Sequence, residues 1–329
     1  MAAPSNTTLS TTAVGNREQL SNIVSRITPE DTPIYTMAGK TKTKGTHPEW
    51  EIDALAAPGE NAQAEGDDYT YSSVDSPVRV GNYTQIMRKD WIISGTQQAV
   101  DNAGNIVKAA TAKIKKGIEI RKDFELAIVS NTASVAGATR YLGGLPSWLT
   151  SNVSRNSGSN GGYNSSTGLT VAETPGTLRA FTKALLDATM QAAYQSGANV
   201  SKAVVSPYNK SVFVTFMSDT NVAPFRHSVD TKGKNTIIGT ADIYEGPFGK
   251  VMIEPNRVMA ASASVARRVF LLDPDMIDVE MLRPIQEDPD VAKTGDSKKG
   301  VIIGEGTLAV RNEAGLGVIA DVFGLTAST

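Results

Sequence analysis

The stretch from Thr28 to Asp75 cannot bury itself, and no other feature constrains the fold of this chain as strongly. It opens as Thr28-Pro29-Glu30-Asp31-Thr32-Pro33, runs through Gly39-Lys40-Thr41-Lys42-Thr43-Lys44, becomes His47-Pro48-Glu49-Trp50-Glu51-Ile52-Asp53, and then turns polar and acidic. Thr28-Pro29-Glu30-Asp31 is a helix start: Thr caps free N–H groups, Pro suits the first helical position, and two carboxylates favour the positive end of the dipole. That helix must be brief, because Pro33 and Gly39 bracket it, and the basic run after Gly39 is expected as a solvated tether. A capped turn, a tether and one strand leading into a polar tip describe an arm that needs another surface to lie on. Such an arm points to assembly rather than catalysis.

The remaining periodicity gives an α+β chain. Asn16 to Ile27 is expected as an amphipathic helix with Leu20, Ile23, Val24 and Ile27 on one side. Pro48 to Leu55 alternates, with Trp50 and Ile52 facing one way and Glu49, Glu51 and Asp53 the other. Asn82 to Ser94 carries Met87, Trp91 and Ile93 on one face, so the two segments are expected to pair as a long hairpin across the polar connection from Ala56 to Gly81. Gln97 to Asn131 is the clearest long helix, with a stripe through Val107, Ala110, Ile114, Ile118, Phe124 and Ile128. Ser151 to Gly168 is expected as a flexible loop. Then follow a helix over Pro175 to Ser196, a strand at Ala203 to Ser206, a helix opened by Ser206-Pro207, and a hairpin pairing Ile237 to Tyr244 with Lys250 to Glu254. Strands close the chain at Val269 to Leu272, Ile277 to Leu282, Gly300 to Ile303, Thr307 to Arg311 and Leu316 to Phe323.

Several chemistries are excluded by what is missing. The 329 residues carry a formal charge of −2, which denies the chain the broad basic field of a dedicated nucleic-acid binder. There is no Cys, hence no disulfide or thiolate ligation. No basic, apolar leader opens the sequence, and no run approaches the ~20 apolar residues of a membrane span. His47 and His227 lie far apart in polar segments, so no histidine pair suggests itself. Gly39-Lys40-Thr41 resembles the end of a phosphate loop, but Ile34 stands where the earlier Gly is required and no strand precedes it. Gly-x-Gly-x-x-Ala occurs at Gly304 to Ala309 and Gly315 to Ala320, inside strand sequence rather than a βαβ unit, and these glycines are expected at turns. The acids around Asp273-Pro274-Asp275 and Glu287-Asp288-Pro289-Asp290 lack the spacing of a calcium loop and suit turn chemistry.

Charge distribution is more telling. Between Lys44 and Arg79 there is no cation, and the interval holds Glu49, Glu51, Asp53, Glu60, Glu65, Asp67, Asp68 and Asp75. The long helix has the opposite sign, with Lys108, Lys113, Lys115, Lys116, Arg121 and Lys122 against Glu119. Both can be ordinary solvated faces. Alternatively the acidic tip of one copy lies across the basic helix of the next, giving register and steering more than raw affinity. On the second reading the inter-subunit contacts are Glu60, Glu65, Asp67 and Asp68 with those six cations.

Ile27-Thr28-Pro29-Glu30-Asp31-Thr32-Pro33, Glu49-Trp50, and Gln85 to Thr96 running into Gln97-Gln98-Ala99-Val100-Asp101 occur here in one order. Together with Lys293-Thr294-Gly295-Asp296-Ser297 and Gly304 to Gly317, this chain resembles the major head proteins of tailed bacteriophages, in the branch like that of phage SU-ten. The resemblance implies the Hong Kong phage capsid fold. Residues 1–45 would be the N-terminal arm and 46–95 the extended two-stranded loop. Residues 96–174 and 267–329 would form a peripheral domain with the spine helix, a sheet and a flexible loop near 151–168; residues 175–266 would form the axial domain. It implies a structural protein without catalytic residues, cofactor or metal. Its shell of pentamers and hexamers would enclose DNA without sequence-specific binding or a membrane, assembled in the host cytoplasm into the virion capsid. Separate scaffolding, portal or decoration proteins are further partners, and a fused scaffold is not expected with about 27 residues before the Thr-Pro-Glu-Asp turn. An encapsulin-like cargo compartment shares the fold, while a carbohydrate-active protein using Asp273 and Asp275 would not.

Overall fold

Two sheets and one long helix organise the chain. The computed structural model describes residues 28, 30–69, 71–74, 76–100, 108–218, 227–229, 235–237 and 242–323. The helix expected at Asn16–Ile27 lies outside them. The arm helix α1 (Pro33–Met37) starts at the second proline of the Thr-Pro repeat rather than the first. A helix begun at Thr28 would have to run through Thr32, which the following proline pushes out of the α region; Thr32 sits at φ −133°, ψ 77°. The expected tether is also structured: β1 (Gly39–Lys42) pairs parallel with the long strand β14 (Ile277–Glu287). At Gly39 a Cβ would lie 2.1 Å from an Asp278 carboxylate oxygen, so a side chain there would have to displace the carboxylate that Arg311 binds.

The first sheet runs β1-β14-β15-β4, with β15 spanning Ser297–Val310 and β4 spanning Gln85–Ser94. Met87, Trp91 and Ile93 are buried as the alternation of β4 requires. Their partner is β15, in register from Ser297 opposite Ser94 to Gly306 opposite Gln85, and not the Pro48 segment. That segment, β2 (Glu49–Ile52), pairs with β3 (Val78–Gly81), a short strand hidden at the end of the polar connection. The two strands expected within 300–311 are one continuous strand. Its glycines are not at turns: Gly300 lies under the Trp91 ring, Gly304 against Ile285, and Gly306 against Met281 and the Glu280 carbonyl.

Helix α3 (Ala109–Val129) packs on this sheet, preceded by the separate short helix α2 (Gly95–Ala99), whose cap Ser94 accepts from the Gln97 N–H at 3.2 Å. Ile120, Phe124, Ile128 and Val129 enter the core with β14 and β15 residues Ile277, Val279, Ile302 and Leu308. The apolar stripe departs from expectation at its start, because Ala110 and Ile114 face outward and the early turns meet only the small cluster of Trp91, Ile93 and Ala109. Val107 lies outside the described residues.

The second sheet runs β11 (Ile243–Gly246), β12 (Gly249–Pro255), β8 (Lys202–Val205), β13 (Val269–Leu272), β16 (Gly317–Ile319) and β5 (Val153–Ser154). Helices α5 (Lys183–Gln195) and α6 (Pro207–Val214) pack on it; Ser206 caps α6 as its Ser-Pro pair predicts, its hydroxyl accepting from the Asn209 N–H at 3.2 Å. α5 begins at Lys183, behind its cap Thr182 and eight residues after the expected start at Pro175. Ile237 belongs to a small hairpin of β9 (His227–Val229) and β10 (Asn235–Ile237) rather than to the β11–β12 hairpin. The closing strand β16 is three residues long rather than running to Phe323.

The expected flexible loop at 151–168 is instead folded. β5 joins the second sheet, β6 (Gly162–Asn164) and β7 (Leu169–Val171) form a hairpin over α4 (Leu145–Trp148), and Arg155 reaches a buried charge network. There Glu173 accepts from Arg268 Nε at 2.6 Å and also binds Arg155, while Arg155 reaches Asp321 at 3.6 Å. A segment rich in Ser, Asn and Gly lacks its own hydrophobic signal, so what orders it is contact with charges brought from elsewhere. The short helix α7 (Ala263–Ala266) lies just before Arg268.

Candidate assembly surfaces

The β2–β3 ribbon carries an exposed tip. Beyond Ile52 and before Val78 the described residues form neither helix nor strand, and Glu60, Glu65, Asp67 and Asp68 all point into solvent. Apolar groups accompany them: Leu55 is 98% exposed, Tyr69 88%, Tyr71 93% and Val74 95%. Near the base, Glu49 is satisfied by Arg79 at 2.8 Å, and His47 lies 3.3 Å from the same carboxylate. The uncompensated charge therefore belongs to the tip. Asp75 lies outside the described residues.

Helix α3 does not present its cations equally. Lys113 pairs with Glu287 of β14 at 2.6 Å, and Lys116 pairs with Glu119 one turn on at 2.9 Å. Lys108, Lys115, Arg121 and Lys122 make no ion pair among the described residues, and none of the helix cations pairs with the loop acids of the same subunit. Arg121 stands near Lys40 of β1; burial first, and that guanidinium second, lower the Lys40 ammonium below the usual lysine range. Both charge sets named from the sequence are thus on the surface, on separate parts of one subunit.

Sequence reasoning missed the group that fixes the arm. Glu125, fully buried on α3, accepts from the Ile34 N–H at 3.0 Å, the Tyr35 N–H at 2.7 Å and the Asn256 amide at 2.5 Å. It caps α1 from another element, which explains why Thr32 makes no side-chain cap. No local signal could reveal it, since the partners lie 90, 91 and 131 residues away in sequence.

The acid clusters do structural work. Asp273 accepts from the Asp275 N–H at 3.1 Å to open a 3-10 turn, and Asp278 is bound by Arg311 at 2.6 Å. No group of His, Cys, Asp and Glu suited to a metal occurs among the described residues. His47 stacks on Tyr83 with ring centroids 4.2 Å apart. No helix among the described residues is long and apolar enough to cross a membrane.

An arm helix held on a long helix, a two-stranded ribbon with a long exposed tip and a helix-backed sheet make a fold of the Hong Kong phage capsid type. The chain belongs to the family described as SU10 major capsid protein, whose profile matches residues 4–323. It is 34% identical over 120 residues to the major capsid protein of Escherichia phage Phieco32, a match covering 36% of this chain and 34% of that protein. Its fold is similar to the cyanophage A-1(L) capsid asymmetric unit (TM-score 0.66, 14% identity, 95% of this chain and 98% of that one). It is likewise similar to a Gordonia phage Cozz structure (TM-score 0.60, 11% identity, 98% and 97% covered). The family is one of structural shell proteins and not of enzymes.

Proposed function

We propose that copies of this chain close into an icosahedral head shell of pentamers and hexamers, each laying its loop tip across α3 of a neighbour. The observation that supports this most strongly is the tip itself, where Leu55, Tyr69, Tyr71 and Val74 stand almost fully in water among acids. Large apolar groups gathered on one exposed segment favour association, and the acids around them favour a basic landing site. Lys115, Arg121 and Lys122 supply one. Residues 1–45 then act as arm, 46–95 as extended loop, 96–174 with 267–329 as peripheral domain and 175–266 as axial domain. Each subunit would bury well beyond the ~1,600 Å² of a standard interface, spread over several neighbours, so weak contacts sum to a stable lattice.

The shell would enclose DNA without reading its sequence, assemble in the host cytoplasm, and take scaffolding, portal or decoration proteins as separate partners. Negative-stain microscopy of the purified chain and of infected cells tests the reading. Closed shells are expected; monomers or small oligomers under every assembly condition, with no shells in cells, would sink it.

A further inference from the structure

The loop base rests on a column of three aromatic rings drawn from three separate elements. Trp50 of β2 stacks on Trp148 of α4 with centroids 5.6 Å apart and planes 27° apart; Trp148 stacks on Tyr163 of β6 at 5.6 Å and 7°. The Trp50 indole N–H donates to the Val310 carbonyl at 2.9 Å, and the Arg311 guanidinium lies 5.8 Å from its ring. Arg311 is itself held by Asp278 and, at 3.1 Å, by Glu280. At Gly81 a Cβ would lie 2.9 Å from both a His47 ring carbon and the Pro48 carbonyl, so the strands come this close only with glycine there.

The residue after Gly81 completes the anchorage. Asn82, fully buried, donates to the Leu308 carbonyl at 2.7 Å and the Gly143 carbonyl at 3.1 Å, and accepts from the Gly143 N–H at 2.8 Å. The hairpin that carries Tyr163 is pressed onto α4 in turn: at Gly161 a Cβ would lie 2.3 Å from the Pro146 carbonyl. Both strands of the ribbon are therefore fixed where they leave the body, by elements that belong to neither.

We infer that Tyr163, acting through Trp148, is a positioning residue that sets the bearing of the extended loop before any neighbour is met. The inference rests on the shell reading, in which that bearing becomes the angle between neighbouring subunits. A stack of planar rings defines direction as well as contact, and a lever rooted in it carries any tilt out to its tip. The β6–β7 hairpin thereby acquires a role beyond covering the core, as the bracket of the loop.

The cysteine-free sequence allows a direct test. Spin labels at Glu51→Cys on β2 and Lys183→Cys on α5, both exposed, report the loop bearing in the unassembled full-length subunit by pulsed electron resonance. Tyr163→Leu keeps apolar volume but removes the ring, while Tyr163→Phe keeps the ring. A narrow distance distribution is expected for the parent and the Phe variant, and one about twofold broader or displaced for the Leu variant at unchanged far-UV dichroism. Micrographs of the same variants should show the Leu variant giving irregular or open particles and the Phe variant regular ones. An unchanged distribution in the Leu variant overturns the inference whatever the particles look like. Absence of shells from the parent would instead count against the proposed function and leave the distance measurement standing.

Discussion

At position 125 a carboxylate sits in the core with three donors and no ion-pair partner among the described residues. Burial raises its pKa above the ordinary glutamate range, and the hydrogen bonds from Tyr35, Ile34 and Asn256 only partly offset this. Since the folded-state pKa is the higher one, the folded chain binds more protons between the two values. The associated stability is full below the ordinary range and falls as pH rises through the raised value. Glu305 has the opposite sign: burial raises it, but hydrogen bonds from Thr84, Arg140 and Arg283 together outweigh that and lower it. Its contribution is present above the ordinary range and lost on acidification. Urea midpoints followed with pH should therefore lose, in Glu125→Gln, the decline that begins above the ordinary glutamate range and, in Glu305→Gln, part of the decline on acidification below it. Removing the carboxylate altogether, as in Glu125→Ala, strands three buried donors and should cost at least about 2 kcal/mol. Arg268→Ala leaves Glu173 short of a buried partner and should cost roughly 3–5 kcal/mol by the same measurement. Neither residue was legible in the sequence, where a Glu in a basic helix and an Arg before a strand both look solvated.

At the scale of elements, what was legible is what is local. The alternation of β4, the Ser-Pro start of α6 and the apolar run of β13 each appear where their own residues place them. Partnership was not legible, because register depends on residues far apart: β2 and β4 both alternate, yet they pair with β3 and β15. Gly304 and Gly306 broke the pattern of β15 into two apparent strands, although their role is to let Ile285 and Met281 lie across the sheet. The strand interior tests that role. A Cβ at position 306 would lie 2.5 Å from the Met281 sulfur and 2.9 Å from the Glu280 carbonyl, and the second of these belongs to backbone that is fixed by the ladder. Gly306→Val should thus destabilise by roughly 1–3 kcal/mol despite its better strand propensity, read as a lower urea midpoint with unchanged slope.

For the whole molecule, the sequence already separated an acidic tip from a basic helix, and the structure reduces the set of available cations. Lys113 and Lys116 are engaged within the subunit, so the proposed landing site would rest on Lys115, Arg121 and Lys122, with Lys108 beside them at the helix start. The apolar groups between the acids were visible as residue types, but their exposure required the tertiary structure. If tip and helix meet between subunits, reversing Glu65, Asp67 and Asp68 to Lys sets like charges against α3. The reversed tip is outside the core, so dichroism and the thermal midpoint of the isolated subunit should stay unchanged while shell yield falls severalfold. Reversing Lys115, Arg121 and Lys122 to Glu should fail in the same way alone and restore shells in combination with the first set. That restoration distinguishes a meeting of the two surfaces from two independent injuries. Raised salt should weaken assembly of the parent and relieve the charge-reversed tip, since exposed charges are screened beyond ~8 Å at physiological ionic strength. Unchanged yield in both reversed variants would leave the apolar tip residues as the cause of association, and Tyr69→Ser with Tyr71→Ser would then be the change that abolishes shells.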